Sequence, residues 1–508
     1  MRYNRLWRVL LLPVFIFAVV LAAVVSYYAE ENSCMGVRIL SEAEMSRFTE
    51  YVPQEISGWI LCNGEPAAAD AGTFTVYISQ NINETTEYND LTGKLSIGNP
   101  AWEMYFAEDE MFSDLDTAVK ENHKFRLVVA TGAAEYMEYG VVFTTLPVIR
   151  LSGAELYTAP DGEKVYGSSM AIWDSNYAGT GGYILEKSNA EWSDNDQRDI
   201  SEPKHSWKLS LKSADGNVYM LNLFGLGKDD DWVLNSAYGD DSKVREKLAA
   251  KLWNDVAVDG QHMLKTPEGE YAEVVCNGEY HGIYVISRKT DQKYLNLDSY
   301  DILIRDKKFS RGSYIQNNYS IVEGYYTEEE VWNIVNPVYS KEDLSAVDLN
   351  SWIDANLVVN MLYNQGKRNY TEMYYLWESA AIKPSVEYMP ITEDGLLGVT
   401  CKDKEFVFDG ALSTLQIKYR QEYQTLKSMY PELDDKIAER YRYLRENIFK
   451  EDTIFEFIDR EYSSIKSSGA VARDAQRWSE SENETAAEDL KKYIEARFEY
   501  LDSVYKFS

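Results

Sequence analysis

Four cysteines and four histidines in 508 residues leave little room for soft-ligand metal chemistry. Cys34, Cys62, Cys276 and Cys401 stand too far apart for zinc-ligand spacing, and His123, His205, His262 and His281 form no ligand cluster. Outside the cytoplasm disulfides could form, but spacing does not reveal a pairing. Basic residues are also scarce, 51 against 83 acidic ones, for a net charge of −32. Such a surface repels phosphate backbones, which disfavours nucleic acid as a partner and suits a solubilised folded domain. A third scarcity is local. No aspartate occurs between Asp354 and Asp394, although Glu372, Glu378, Glu387 and Glu393 do.

What is present is aromatic and apolar: 39 tyrosines, 12 tryptophans and 45% hydrophobic residues, enough to bury large cores. The length exceeds what one hydrophobic core supports, so two or three domains are expected. Arg2, Arg5 and Arg8 precede an uncharged run from Val9 to Tyr28. At 1.5 Å per residue, such a helix spans the roughly 30 Å hydrocarbon layer. The arginines before it, with Glu30 and Glu31 after it, predict a single-pass anchor with residues 1–8 inside and the bulk of the chain extracytoplasmic. A cleaved signal peptide is the competing reading. Its apolar core is usually shorter and its cleavage site wants small residues, whereas Tyr27 and Tyr28 stand here.

The expected fold class is α+β. Residues 36–145 alternate β-favouring runs ("TFTVYIS", "FRLVVA") with turns ("CNGEP", "NDLTGK"), predicting a small β-sandwich accessory domain with one helix near "DLDTAVKENH". From residue 146 strands and helices mix. "HSWKLSLK", "YAEVVCNGEYHGIYVIS" and "YDILIRD" predict strands, the middle pair joined by an Asn277-Gly278 turn. "DSKVREKLAAKLWNDV" predicts a helix with Asp241 or Ser242 as N-cap and Val244, Leu248, Leu252 and Val256 on one face. "DLNSWIDANLVVNMLYN" predicts a second helix. Residues 412–508 are mainly helical, with Leu490, Ile494, Phe498, Leu501 and Val504 as one apolar stripe.

The string "GKDDDWVLNSAYGDDSKVREKLAAKLWND" closely resembles the signature of the CotH family, spore-coat and surface proteins with an atypical protein-kinase fold. "LPVIRL", "KHSWKLSL", "CNGEYHGIYVIS", "ERYRYLRENI" and "RFEYLDSVY" are similar to further family segments, in order, so the resemblance spans residues 146–508. It marks Asp229, Asp230, Asp231, Trp232, Asp241, Arg245, Asn277, Gly278, Glu279 and Tyr280 as signature positions. Physically, the aspartates before Trp232 suit a solvated turn capped by a buried indole, and Arg245 could tie its helix to that turn or touch a phosphate. Lys204 and Lys208 lie four apart, so in one strand both would face the same way and could grip phosphates.

The resemblance gives the missing aspartate its meaning. Phosphoryl transfer needs a carboxylate to position or deprotonate the attacking hydroxyl, and further carboxylates to hold magnesium. The family pattern places the first on Lys367, with Glu372 where an asparagine is expected. It places the metal aspartates on Thr392 and Asp394, of which Asp394 alone survives. A lysine cannot accept a proton at neutral pH unless its pKa is strongly depressed, and it repels magnesium. Two further departures agree: "EKSNAEWSDNDQRD" holds no counterpart of the family's glycine-containing stretch, and Arg288 replaces a glutamate. The expectation is a membrane-anchored, catalytically degenerate relative binding an unknown surface or coat protein, with ATP and Mg or Mn as cofactors if nucleotide binding is retained. The alternative is an active atypical Ser/Thr kinase using Glu372, Glu393 and Asp394. A second alternative is a surface adhesin or glycan-binding protein, suggested by the β-rich front domain.

Overall fold

The computed structural model describes residues 37–51, 58–82, 94–132, 135–159, 162–177, 182–195, 202–297, 301–306, 319–323, 329, 343–362, 373–378, 385–390, 422–479 and 483–507. The expected membrane span, residues 9–28, lies outside them; among the described residues no helix is long and apolar enough to cross a membrane. The chain sorts into two compact units. The first comprises Met1–Arg150, Trp173–Leu185 and Val275–Tyr280; the second comprises Leu151–Ile172, Glu186–Val274 and His281–Ser508.

The first unit is built on a seven-stranded mixed sheet in the order Arg38–Leu40, Glu103–Ala107, Phe125–Ala130, Glu135–Thr144, Thr75–Ser79, Ala68–Asp70, with Thr49–Tyr51 also joined to Glu135–Thr144. Three of its pairings are parallel. A small antiparallel sheet (Glu65–Pro66, Ile60–Cys62, Leu95–Ile97) stands separately. The expected β-sandwich is therefore corrected to a mixed sheet. The reason lies in the runs that suggested it: Leu127–Ala130 and Val141–Thr144 are buried without a break. Strands covered on both faces lose the in-out alternation of a half-solvated sheet. The helix expected near "DLDTAVKENH" forms as Leu115–Lys120, with the Asp114 side chain accepting from the Thr117 amide.

The Asn277-Gly278 turn belongs to this unit. Both residues have positive φ (51° and 78°), as a type I′ hairpin requires. The turn is held by Asp70, which accepts from the amides of Thr73 (2.7 Å) and Tyr280 (2.9 Å), and by stacking of Tyr280 on Tyr77 at 4.4 Å.

Seven strands then close a barrel: Val148–Thr158 (β1), Lys164–Tyr177 (β2), Gly182–Asp194 (β3), Trp207–Lys212 (β4), Asp231–Asn235 (β5), Gly269–Cys276 (β6) and Glu279–Arg288 (β7), in the order β1-β2-β3-β4-β5-β7-β6. Strand β4 shows the alternation that the sequence promised, with Trp207, Leu209 and Leu211 buried and Lys208, Ser210 and Lys212 half-buried. Helix α1 (Arg245–Asp259) follows β5, and Val244, Leu248, Leu252 and Val256 are all buried. An antiparallel sheet of Asp301–Asp306 (β8), Tyr319–Glu323 (β9), Met373–Glu378 (β10) and Val386–Pro390 (β11) runs in the order β9-β8-β10-β11. Between β9 and β10 lies helix α2 (Leu349–Leu362), buried on every side from Ser351 onward. Helices α3 (Tyr423–Met429), α4 (Leu433–Asn447), α5 (Glu451–Ser467), α6 (Ala470–Trp478) and α7 (Ala486–Tyr505) complete the second unit. The α7 stripe forms as expected at Leu490, Ile494, Phe498 and Leu501.

Helix α6 is fastened to the barrel by charge. Arg473 reaches Glu273 on β6 with two parallel bonds, Nε to Oε1 at 2.8 Å and Nη2 to Oε2 at 2.7 Å, and also donates to Ser468 O. Both side chains are buried. Removing one partner strands the other charge, so Arg473→Met should cost about 3–5 kcal/mol, whereas the double variant Glu273→Met/Arg473→Met should recover most of that loss. Urea unfolding of the two single variants and the double variant measures this coupling.

Candidate functional site

The signature acidic turn precedes β5. Asp229 is fully buried and Asp230 nearly so, which corrects the expectation of a solvated turn. The Asp229 carboxylate accepts from the Asp230 amide at 2.9 Å and from Arg288 Nε at 2.9 Å. Lys293 bonds to Asp230 and, at 3.0 Å, to Asp231. The indole is where the sequence put it: Trp232 is wholly buried, and its Nε1 donates to Asp229 O at 3.2 Å. Arg288, a departure from the family pattern, pairs in register with Trp232 across β5 and β7 and so supplies the counter-charge. Burial opposes the charge on Lys293, but hydrogen bonds to Asp230 and Asp231 prevail and hold its ammonium above the usual lysine range. Burial likewise pushes the neighbouring Tyr294 hydroxyl up to about 12.

Helix α1 starts at Arg245, and neither Asp241 nor Ser242 is its N-cap. That position is Val244, with no capping side chain; Asp240, further upstream, accepts from the amides of Ser242 and Arg245, each at 3.0 Å. The Arg245 guanidinium turns back to the same carboxylate, Nε to Oδ1 at 3.4 Å, so the Arg245 side chain is tied to Asp240. Asp241 accepts from Asn483 Nδ2 at 3.2 Å, linking the start of α1 to the approach to α7.

The two candidate phosphate-binding lysines do not share a strand face, because β4 begins at Trp207 and Lys204 precedes it. Lys204 is fully buried; its Nζ donates to Asp474 Oδ1 and to Ile283 O, each at 2.6 Å, and lies 4.8 Å from the Tyr284 ring centre. Lys243 meets the other oxygen of Asp474 at 3.1 Å, and the Ile283 amide donates to Oδ1 at 2.9 Å. Lys208 is partly exposed on β4, with Glu163 at 4.0 Å. Of the two, Lys208 alone presents its ammonium to solvent.

The phosphotransfer positions Lys367, Glu372, Thr392, Glu393 and Asp394 lie outside the described residues. Their surroundings are partly visible. Met373 on β10 pairs with Pro390 on β11, so the chain enters and leaves this hairpin at the same end, one residue after Glu372 and three before Glu393. Asp354, the aspartate nearest on the N-terminal side, is wholly engaged. It accepts two bonds from Arg440 (2.7 and 2.8 Å) and one contact from His262 Nε2 at 2.8 Å. Arg440 continues to Asp259 at 2.7 Å, and Tyr443 donates to Asp259 at 2.8 Å. Among the described residues no cluster of His, Cys, Asp or Glu could hold a metal ion. The described residues therefore do not by themselves make up a metal–nucleotide site.

Much of "EKSNAEWSDNDQRD" is β3 itself, and the chain joining β2 to β3 reads Ala178-Gly179-Thr180-Gly181-Gly182. Its residues 178–181 lie outside the described ones. The buried charges Asp474, Arg473 and Asp354 were also missed; their one signal is a charge among apolar residues on a helix.

A closed barrel, a buried helix followed by a β-hairpin, and a helical C-terminal part define a mixed α+β architecture. Residues 195–501 match the family described as "CotH kinase protein", and the chain belongs to that family. No curated protein matches it.

Burial alone would raise the Asp474 pKa, but Lys204 and Lys243 reverse the effect and hold its carboxyl below the usual range. A depressed folded pKa contributes stability above the unfolded value of about 4, and that stability is lost as pH falls further. Asp474→Asn should flatten this acid limb in melts recorded from pH 7 to 2.5. Gly282 has φ +87°, and a Cβ there would stand 1.9 Å from Asp474 Oδ1. Gly282→Ala should therefore destabilise by roughly 3 kcal/mol or more in urea unfolding.

Proposed function

We propose that this chain is a membrane-anchored, outward-facing member of the CotH kinase family that has lost phosphotransfer chemistry and binds a surface or coat protein. One observation carries the proposal: no aspartate occurs between Asp354 and Asp394, the stretch where the family resemblance expects one. Lys367 occupies the expected position, and Asp354 is already engaged by Arg440 and His262. A cation at 367 neither takes a proton at neutral pH nor attracts magnesium. Burial of Lys204 against Asp474 removes one of two phosphate-binding candidates as well. Residues 9–28 supply the anchor, and the net charge of −32 disfavours nucleic acid as the partner.

A second function, active Ser/Thr phosphotransfer, is favoured by the pairing of Met373 with Pro390, which brings together the strand ends next to Glu372 and to Glu393 and Asp394. Glycan binding draws support from the first unit, where Trp59 is 43% exposed and packs 5.0 Å from Trp102. Three measurements sort these functions. With labelled ATP and Mg or Mn, the purified chain should transfer no phosphate to itself or to surface proteins; transfer that disappears in Asp394→Ala would reject the proposal in favour of an active kinase. Thermal stabilisation by ATP without turnover would define a nucleotide-binding pseudokinase, and no stabilisation a scaffold. Retention on immobilised glycans, lost in Trp59→Ala, would move the function to the first unit.

A further inference from the structure

Helix α2 carries two fully buried asparagines one turn apart, and each turns its amide nitrogen back on its own helix. Asn356 Nδ2 donates to Trp352 O and Asn360 Nδ2 to Asn356 O, both at 2.7 Å. Asparagine is a poor helix former, and such back-bonding competes with the backbone ladder. It also satisfies only half of each amide. The Oδ1 atoms of Asn356 and Asn360 are both buried, and neither meets a donor among the described residues. Turning either amide over would aim Oδ1 at a carbonyl oxygen and leave Nδ2 without an acceptor. Each asparagine therefore holds one polar atom to satisfy in either orientation.

Buried polar atoms in folded proteins nearly always have a partner, and where the protein supplies none the usual partner is an ordered water. The spacing suits one shared molecule. Side chains four apart on a helix stand about 5–6 Å from each other, a gap that one water spans with two O–H···O bonds of about 2.8 Å. Its two hydrogens match the two acceptors, whereas a bound cation is opposed by charge. Arg497 of α7 is 1% exposed, and its guanidinium already lies here, donating from Nε (2.9 Å) and Nη2 to Asn360 O. A metal ion beside that fixed positive charge would be repelled, and two amide oxygens carry no net charge to offset it. Asp354, the carboxylate on α2, is engaged by Arg440 and His262.

We propose that one buried water bridges Asn356 Oδ1 and Asn360 Oδ1, donating a hydrogen to each, so that α2 holds an internal hydration site. The site does not depend on phosphotransfer or on its loss. A high-resolution crystal structure of the full chain tests it, alongside those of the Asn356→Leu/Asn360→Leu double variant and of the exposed Arg442→Ala as control. Leucine is close to asparagine in size and removes both acceptors. Wild type and control should each show one density peak within about 3.2 Å of both Oδ1 atoms, and the double variant should lose it. A peak touching only one of the two atoms, no peak, or a protein donor in its place would overturn the proposal. So would a peak that persists in the double variant, or one with the short, many-oxygen coordination of a bound cation. Should the double variant fail to fold, the wild-type density decides alone.

Discussion

A single carboxylate, Asp474, gathers four parts of the second unit. Lys204 arrives from the segment before β4, Lys243 from the loop before α1, the Ile283 amide from β7, and the carboxylate itself from α6. Each partner is deeply buried, so the carboxylate supplies a counter-charge where water cannot reach. The constraint reaches the backbone too, because Gly282 is left no room for a side chain. The neighbouring Arg473–Glu273 pair repeats the device one residue earlier, so α6 meets the barrel through consecutive opposite charges.

The same economy runs through the chain's other acidic positions. Asp229 and Asp230 are neutralised by Arg288 and Lys293, Asp240 binds the first amide of α1, and Asp354 ties α2 to α4. Buried ion pairs seldom add much net stability over apolar packing, but a stranded partner is costly, so such pairs specify which elements may meet. In a chain with 83 acidic residues, the buried carboxylates described here serve architecture. That use gives family signature residues such as Asp229 and Asp230 a structural role of their own.

Arg288 illustrates the point. Seen as a letter, it departs from the family pattern; seen in register opposite Trp232, it neutralises an aspartate that would otherwise be buried alone. Lys204 illustrates the reverse. It keeps the family residue type, yet its donors face Asp474 and a carbonyl inside the protein.

Local pattern alone determined the α1 face, the α7 stripe, the alternation of β4, the Asn277-Gly278 turn, the buried Trp232 and membership of the CotH kinase family. These depend on spacing along a single helix or strand, or on ordered motifs, all of which are written in the chain. Tertiary structure decided that the front sheet is mixed, that seven strands close into a barrel, that Asp240 binds the Arg245 amide, and that Lys204, Asp354 and Arg497 look inward. The physical reason is distance along the chain. Lys204 and Asp474 are 270 residues apart, and Arg497 lies 137 residues from Asn360. Whether a charge meets water or its counter-charge is settled only when such segments pack together.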